Sequence, residues 1–142
     1  MEIALPDQDA TERLAARLAG LARPGDAILL AGDLGAGKST LARAFLRAAA
    51  HDRALEVPSP SFTLVQSYDT SLGPVHHFDL WRLDGPGALV ELGWDELAED
   101  IVLVEWPDRL GSLRPADALE VTLHDTGGDT RRATIAGWPA RL

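Results

Sequence analysis

One run of nine residues constrains the fold of this chain more than any other stretch. Residues 32–40 read GDLGAGKST and fill the pattern G-x-x-x-x-G-K-[ST] without a gap. Its three glycines let the backbone adopt left-handed or crowded conformations, so that successive N–H groups point into one concavity of phosphate size. Lys38 then brings a positive charge to the terminal phosphates of a nucleotide, and the Ser39 hydroxyl becomes a ligand for Mg²⁺. The run therefore predicts a phosphate-binding loop.

The segments on either side have the composition that such a loop requires. Residues 27–31 (AILLA) form a short apolar run typical of a buried strand, and residues 41–50 (LARAFLRAAA) are strong helix formers. Strand, glycine loop and helix follow in the order that directs the helix dipole at a bound anion. Lys38 is also the single lysine among the 13 basic residues. A compact ammonium suits a phosphate nest better than the planar guanidinium used elsewhere.

Length and composition bound the remaining possibilities. We expect residues 1–142 to form a single domain whose core surrounds a sheet covered by helices. The chain has no cysteine, which excludes disulfides, thiolate metal sites and thiol catalysis. It shows no basic segment followed by an apolar leader, and no apolar run approaches the ~18 residues of a membrane span. We therefore expect a soluble cytoplasmic protein that has no membrane partner.

The charge of the chain limits its partners. The 22 acidic and 13 basic residues give a formal net charge of −9. Such a surface repels the phosphate backbone of a nucleic acid. A link to nucleic acid is therefore expected to run through a partner protein.

An amphipathic helix is predicted ahead of the loop. Asp9 and Glu12 have the spacing of an acidic capping box, and they precede Leu14, Leu18 and Leu21 on one helical face. The helix is expected to end near residue 20.

Strand patterns predict the centre and the edges of the sheet. Four consecutive apolar residues, 101–104 (IVLV), are typical of a central strand covered on both faces. Two hairpins are expected, one of residues 62–68 and 75–80 that turns at Gly73-Pro74, and one of residues 119–123 and 130–136. Residues 3–5 predict a short edge strand, and residues 84–92 and 94–98 predict short helices.

Two acidic residues follow predicted strands. Ligands of open α/β sheets collect at the carboxyl ends of the strands, so Glu105, directly after residues 101–104, is the first candidate to hold Mg²⁺. The alternative for Glu105 is a solvent-facing residue at a strand end. Asp79 ends another apolar strand and either positions the metal-bound water or nucleophile, or pairs structurally with Arg82.

Aromatic and imidazole side chains adjoin these carboxylates. Trp106 follows Glu105 and either stacks near the nucleotide or packs in the fold. His76 and His77 are adjacent in a predicted strand, so they face opposite sides, and we expect one to be inward and the other exposed. A two-histidine metal site is disfavoured by this geometry.

The choice of base follows from a missing element. Guanine-specific proteins with this loop usually read the base with an Asn/Thr-Lys-x-Asp element. The chain contains no asparagine, and its single lysine already belongs to the loop. ATP is therefore favoured over GTP.

Five segments of the chain form a distinctive set: LPDQDAT (5–11), GDLGAGKST (32–40), SPSFTLV (59–65), HFDLWRL (77–83) and LVEWPDRLG (103–111). Together they resemble the TsaE family, the small ATPases of bacterial tRNA threonylcarbamoyladenosine biosynthesis. The resemblance implies an α/β P-loop NTPase fold, a three-layer sandwich with a mixed, mainly parallel sheet and peripheral antiparallel hairpins. It also implies Mg²⁺-dependent ATP hydrolysis and association with TsaB and TsaD, of which TsaD transfers the carbamoyl group to tRNA adenosine. Contact with tRNA would be indirect.

The same resemblance implies roles for individual residues. Lys38, Asp79 and Glu105 would serve catalysis, and Ser39 with Glu105 would hold Mg²⁺. The nucleotide would contact Gln8 and Thr11 near the adenine, Trp106, and the loop residues Leu34, Gly35, Ala36, Gly37, Lys38, Ser39 and Thr40. Two residues depart from the family pattern, Ser61 in place of the usual threonine and Trp81 in place of the usual tyrosine.

Two other functions remain open at this point. A small-molecule kinase can use the same loop, although kinases usually add an arginine-rich lid and a substrate pocket, and neither is evident in the sequence. A nucleotide-dependent interaction module with little hydrolysis is the other alternative.

Overall fold

The computed structural model describes residues 1–60 and 63–142. Within them, seven strands form one sheet in the order β1-β7-β6-β2-β5-β4-β3. The strands are β1 (Glu2–Leu5), β2 (Ala27–Gly32), β3 (Val65–Thr70), β4 (Gly73–Asp79), β5 (Ile101–Glu105), β6 (Leu119–Gly127) and β7 (Thr130–Ala136).

The middle of the sheet is parallel and its edges are antiparallel. β2 pairs in parallel with β5 on one side and β6 on the other, and β4 continues the parallel ladder beside β5. Antiparallel pairing of β3 with β4, and of β7 with β6 and β1, completes the two edges. The predicted mixed α/β sheet with peripheral hairpins is thus confirmed, as is the position of residues 101–104 in a strand buried on both faces.

Helices cover both faces of the sheet. α1 (Gln8–Leu21) and α2 (Lys38–Ala50) lie on one face, and α3 (Pro86–Glu91), α4 (Trp94–Leu97) and 3-10 turns at Pro107–Leu113 lie on the other. Successive residues of a strand point to opposite faces, so Ile28 and Leu30 join the core under α1 and α2 while Leu29 joins the other core. In the part of the chain that is described, no helix has the length and apolar character needed to cross a membrane.

Helix α1 begins earlier than its sequence predicts. Asp7 is the N-cap: its backbone is extended, and its Oδ1 accepts a hydrogen bond of 2.9 Å from the Ala10 amide. The predicted capping box of Asp9 and Glu12 is wrong, because both lie inside the helix and Glu12 accepts a hydrogen bond from Gln8 instead. The backbone of Asp7 is extended, so its carboxylate can accept a hydrogen bond from an otherwise unpaired amide of the first turn, whereas Asp9 already lies within the helix.

The first hairpin turns at a different place from the one predicted. Gly73 and Pro74 lie in β4, opposite Thr70 and Asp69, and the turn consists of Ser71 and Leu72. β5 begins to pair with β4 only at Val75, so the missing amide of Pro74 costs the parallel ladder nothing. The predicted start of β3 at Phe62 lies outside the described residues, as does Ser61.

A close approach between the residue after β7 and the residue before β6 gives a test of the packing at this end of the two strands. A Cβ atom on Gly137, whose φ is +116°, would lie 2.6 Å from the Ala118 carbonyl oxygen. We expect Gly137→Ala to lower the free energy of unfolding by about 1–3 kcal/mol, measured by urea denaturation. Gly20→Ala, in open space on α1, should raise it by about 0.5–1 kcal/mol. Equal stability of Gly137→Ala and the wild type would contradict the contact.

Candidate functional site

The loop predicted to bind phosphate, residues 32–40, joins the end of β2 to the start of α2. At the start of the loop, Gly32 has φ +136°, and a Cβ there would lie 2.5 Å from the carbonyl oxygen of Leu123 in β6. The loop can therefore leave the sheet at this point only because Gly32 lacks a side chain. Within the loop, Leu34 is 74% exposed whereas Ala36 is buried. Lys38, Ser39 and Thr40 form the first turn of α2.

Lys38 is buried inside the loop. Its Nζ donates hydrogen bonds to the carbonyl oxygens of Gly32 and Asp33 and lies 3.8 Å from the centre of the Trp106 ring. Burial lowers the pKa of Lys38, while the nearby carboxylates of Glu105, Asp33 and Asp79 act in the opposite direction. The ammonium thus contacts neutral groups, two carbonyl oxygens and an aromatic face. A bound anion would interact with it more strongly than these groups do.

Trp106 is half-buried and packs against this lysine. It follows β5 in a left-handed conformation with φ +59°, and its ring lies 4.4 Å from the ring of Trp81. Trp81 itself is 44% exposed. The sequence predicts that Trp106 either packs in the fold or stacks near a nucleotide. The structure shows that it packs beside Lys38. Its contact with a nucleotide stays a prediction.

Glu105 is buried at the end of β5 and contacts two elements. Its Oε1 accepts a hydrogen bond of 3.1 Å from the Ser39 hydroxyl, and its Oε2 lies 2.7 Å from His77 Nε2. The alternative of a solvent-facing Glu105 is therefore wrong, because only 2% of the residue is exposed. Asp79 lies directly opposite Glu105 in the register of β4 and β5, also buried, and its Oδ1 accepts a hydrogen bond from the Trp81 amide.

The spacing of the Ser39 and Glu105 oxygens suits two neighbouring ligands of a magnesium ion. Mg²⁺ binds oxygen ligands at about 2.0–2.1 Å in octahedral geometry, so neighbouring ligands lie about 3 Å apart. The Ser39 Oγ and Glu105 Oε1 atoms are 3.1 Å apart. Magnesium usually keeps one or two protein ligands and takes the others from phosphate and water. The two residues therefore fit this ion.

A cavity of about 380 Å³ lies next to the loop, on the side of α1. Gln8 and Thr11 of α1 line it together with Thr40, which places the residues predicted near the adenine beside the loop. Asp129 and Arg131 of the β6–β7 hairpin form another wall. Arg131 also donates a hydrogen bond of 3.2 Å to the Gly35 carbonyl oxygen. No local pattern signals this contact of the hairpin with the loop, because it depends on β6 pairing beside β2, the strand that leads into the loop.

Both adjacent histidines of β4 are buried, so the expectation that one of them is exposed is wrong. His76 lies between Ser67 Oγ and Asp100 Oδ2, at 2.7 and 2.9 Å, and His77 contacts Glu105 on the opposite face. β4 lies inside the sheet and has a core on each face, so neither side chain reaches solvent. The contact of His77 with Glu105 was missed because it depends on the register of two strands.

The family to which the chain belongs follows from its likeness to known proteins. Residues 5–133 match the family model described as "Threonylcarbamoyl adenosine biosynthesis protein TsaE". The chain belongs to the TsaE family. The match spans the loop, both buried carboxylates and Trp106, so the TsaE family shares the region in which the candidate site lies.

Individual relatives agree with this membership. A tRNA threonylcarbamoyladenosine biosynthesis protein TsaE of Rickettsia felis is 35% identical over 132 residues, which cover 92% of this chain and 77% of the relative. The protein of that name from Bacillus subtilis is 33% identical over 88% of this chain and 78% of its own. A crystal structure of YdiB from Bacillus subtilis superposes with a TM-score of 0.80 at 28% identity, covering 99% of this chain and 87% of that one.

The buried state of Lys38 predicts a specific pH dependence of stability. Its pKa in the folded protein lies below the ordinary lysine value of 10.5, so the unfolded chain binds more protons at high pH and folding becomes more favourable as pH rises. We expect the unfolding free energy of the wild type to increase relative to that of Lys38→Met as the pH is raised toward about 10.5. Urea titrations at several pH values measure this difference.

Arg43 on α2 supplies the control for this measurement. Arginine stays protonated over this range, so Arg43→Met should show no such trend relative to the wild type. A wild-type stability that falls relative to Lys38→Met as pH rises would contradict the burial of the ammonium.

Proposed function

We propose that this chain is a magnesium-dependent ATPase of the P-loop NTPase class that serves threonylcarbamoyladenosine modification of tRNA. The observation that carries the proposal is the 3.1 Å contact between Ser39 of the loop and the buried carboxylate of Glu105. A phosphate-binding loop alone is compatible with many functions. A loop hydroxyl beside a strand-end carboxylate supports the proposal more specifically, because these two groups would be the protein ligands of a nucleotide-bound magnesium ion.

Each residue of the site has a role in this proposal. The amides of residues 34–39 and the Lys38 ammonium bind the phosphates, and Ser39 with Glu105 holds Mg²⁺. When bound, the ion neutralises charge on the phosphate oxygens. Asp79, buried beside Glu105, holds the attacking water, and Trp106 contacts the nucleotide next to Lys38. The packing of Trp106 and Trp81 keeps bulk water away from the lysine.

The base is proposed to lie in the 380 Å³ cavity beside the loop. Gln8, Thr11 and Thr40 supply its polar wall, in agreement with the roles that the family resemblance implies for Gln8 and Thr11. We propose ATP as the nucleotide because the chain lacks the asparagine-containing element that reads guanine.

The proposed link to tRNA runs through partner proteins. With a net charge of −9, the chain as a whole repels an RNA backbone. The names of the relatives from Rickettsia felis and Bacillus subtilis assign those proteins to tRNA threonylcarbamoyladenosine biosynthesis. We propose that this chain binds a pair of proteins of the TsaB and TsaD type and that its ATP turnover acts on that assembly.

Removal of the Glu105 charge tests the proposed chemistry. We expect Glu105→Gln to lower magnesium-dependent ATP turnover by about 100-fold, because it removes the charged ligand of the ion, while ATP binding in EDTA stays within a few-fold of the wild type. A coupled phosphate-release assay and calorimetry measure the two quantities. The matched control is Glu120→Gln, a surface glutamate that pairs with Arg114. Unchanged turnover in Glu105→Gln would contradict the catalytic role of Glu105, whereas a wild-type protein that binds ATP without measurable turnover would favour the interaction module.

Addition of the partners tests the proposed biological role. ATP turnover by this chain is expected to rise when TsaB and TsaD of the same organism are added together, since the proposed cycle acts on their complex. Each partner added separately is the control. Turnover that is insensitive to both partners would separate the ATPase chemistry from the proposed tRNA pathway.

A further inference from the structure

The contact between His77 and Glu105 is one of the most buried polar contacts in the described part of the chain. Their side chains are 2% and 3% exposed, and His77 Nε2 lies 2.7 Å from Glu105 Oε2. His77 pairs in register with Leu103, two residues before Glu105 in β5, so the two side chains point to the same face of the sheet. That is the face covered by α2, from which Ser39 reaches Glu105.

The two oxygens of Glu105 have different partners, which defines the orientation of the carboxylate. A carboxylate accepts hydrogen bonds and does not donate them, so the hydrogen of this pair belongs to His77 Nε2. Oε2 is thereby taken by His77, and Oε1 is the oxygen that meets Ser39. A glutamate side chain has a broad preference for its last torsion angle, so without a second partner its carboxylate is free to rotate.

We propose that His77 is a positioning residue that holds the Glu105 carboxylate so that it presents Oε1, and not both oxygens, to the magnesium side of the phosphate-binding loop. This inference rests on the proposed function of the site. Groups that orient a metal ligand from behind tune metal affinity strongly although they never touch the ion. His77 occupies that place behind Glu105, on the side away from Ser39.

The surroundings of His77 make it suitable for a substitution test. Among the residues that the structure describes, its other ring nitrogen, Nδ1, is buried and has no hydrogen-bond partner. Replacement of the imidazole therefore removes one polar contact, the one to Glu105. Glutamine places an amide donor near the position of Nε2, whereas leucine fills the space without a donor and asparagine is one carbon too short.

The neighbouring residue supplies a matched control. His76 lies in the same strand, is also buried, and also contacts a carboxylate, at 2.9 Å from Asp100 Oδ2. Its side chain points to the opposite face, away from the loop. A general effect of losing a buried histidine from β4 should therefore appear in His76→Leu as well as in His77→Leu. An effect that acts through the orientation of Glu105 should appear in His77→Leu and be absent from His76→Leu.

The experiment measures ATP binding by calorimetry, once with excess Mg²⁺ and once with EDTA. The dissociation constant in EDTA divided by the dissociation constant with Mg²⁺ reports the contribution of the ion to binding, without any turnover. We expect His77→Leu to reduce this ratio by about 10- to 100-fold, while His77→Gln stays within about threefold of the wild type. Affinity for ATP in EDTA should be equal in all variants. His76→Leu should have the wild-type ratio.

Several outcomes would overturn the proposal. A wild-type ratio in His77→Leu, or an equal loss in His76→Leu, would show that Glu105 does not depend on His77. If circular dichroism shows that His77→Leu does not fold, the ratio is compared between His77→Asn and His77→Gln. Both side chains are polar and only glutamine reaches Glu105, so equal ratios in these two variants would overturn the proposal. A wild-type protein whose ATP affinity is the same with Mg²⁺ and EDTA would overturn the proposed function itself, and this inference with it.

Discussion

A carboxylate buried at the end of a central strand is the constraint on which the rest of the site depends. Glu105 is 2% exposed, and an isolated charge at that depth is too costly to keep without partners. Its partners come from two separate parts of the chain: Ser39 and the charge of Lys38 from the first turn of α2, and His77 from β4. Satisfying one carboxylate therefore fixes how the loop and the two strands meet.

The loop of residues 32–40 carries a second buried charge, that of Lys38, and this charge suits the binding of an anion better than it suits stability. Lys38 is held by carbonyl oxygens and by the face of Trp106, and burial lowers its pKa. A phosphate would give this ammonium a stronger partner. Functional sites commonly hold such groups at the expense of stability in the free protein. The hydrogen bond from Arg131 to the Gly35 carbonyl oxygen joins the C-terminal hairpin to the same loop.

Prediction from sequence succeeded where a signal was long or chemically specific. The apolar run 101–104 predicted a central strand, and the alternating segments predicted two hairpins, because strand period and burial leave a pattern in consecutive residues. It failed where neighbouring residues offer similar local solutions. Asp7 and Asp9 can both cap a helix, and Ser71-Leu72 competes with Gly73-Pro74 for a turn. The choice between them depends on pairing with distant strands.

The sequence by itself determined the loop, because residues 32–40 are contiguous and their chemistry is local: glycines for a crowded backbone, one ammonium and one hydroxyl. It also placed Asp79 and Glu105 at strand ends. Only the tertiary structure decided that Glu105 is buried, that His77 lies behind it, and that Arg131 reaches the loop. These contacts join residues from 28 to 96 positions apart in the chain, and strand order and register, which no local pattern encodes, bring them together.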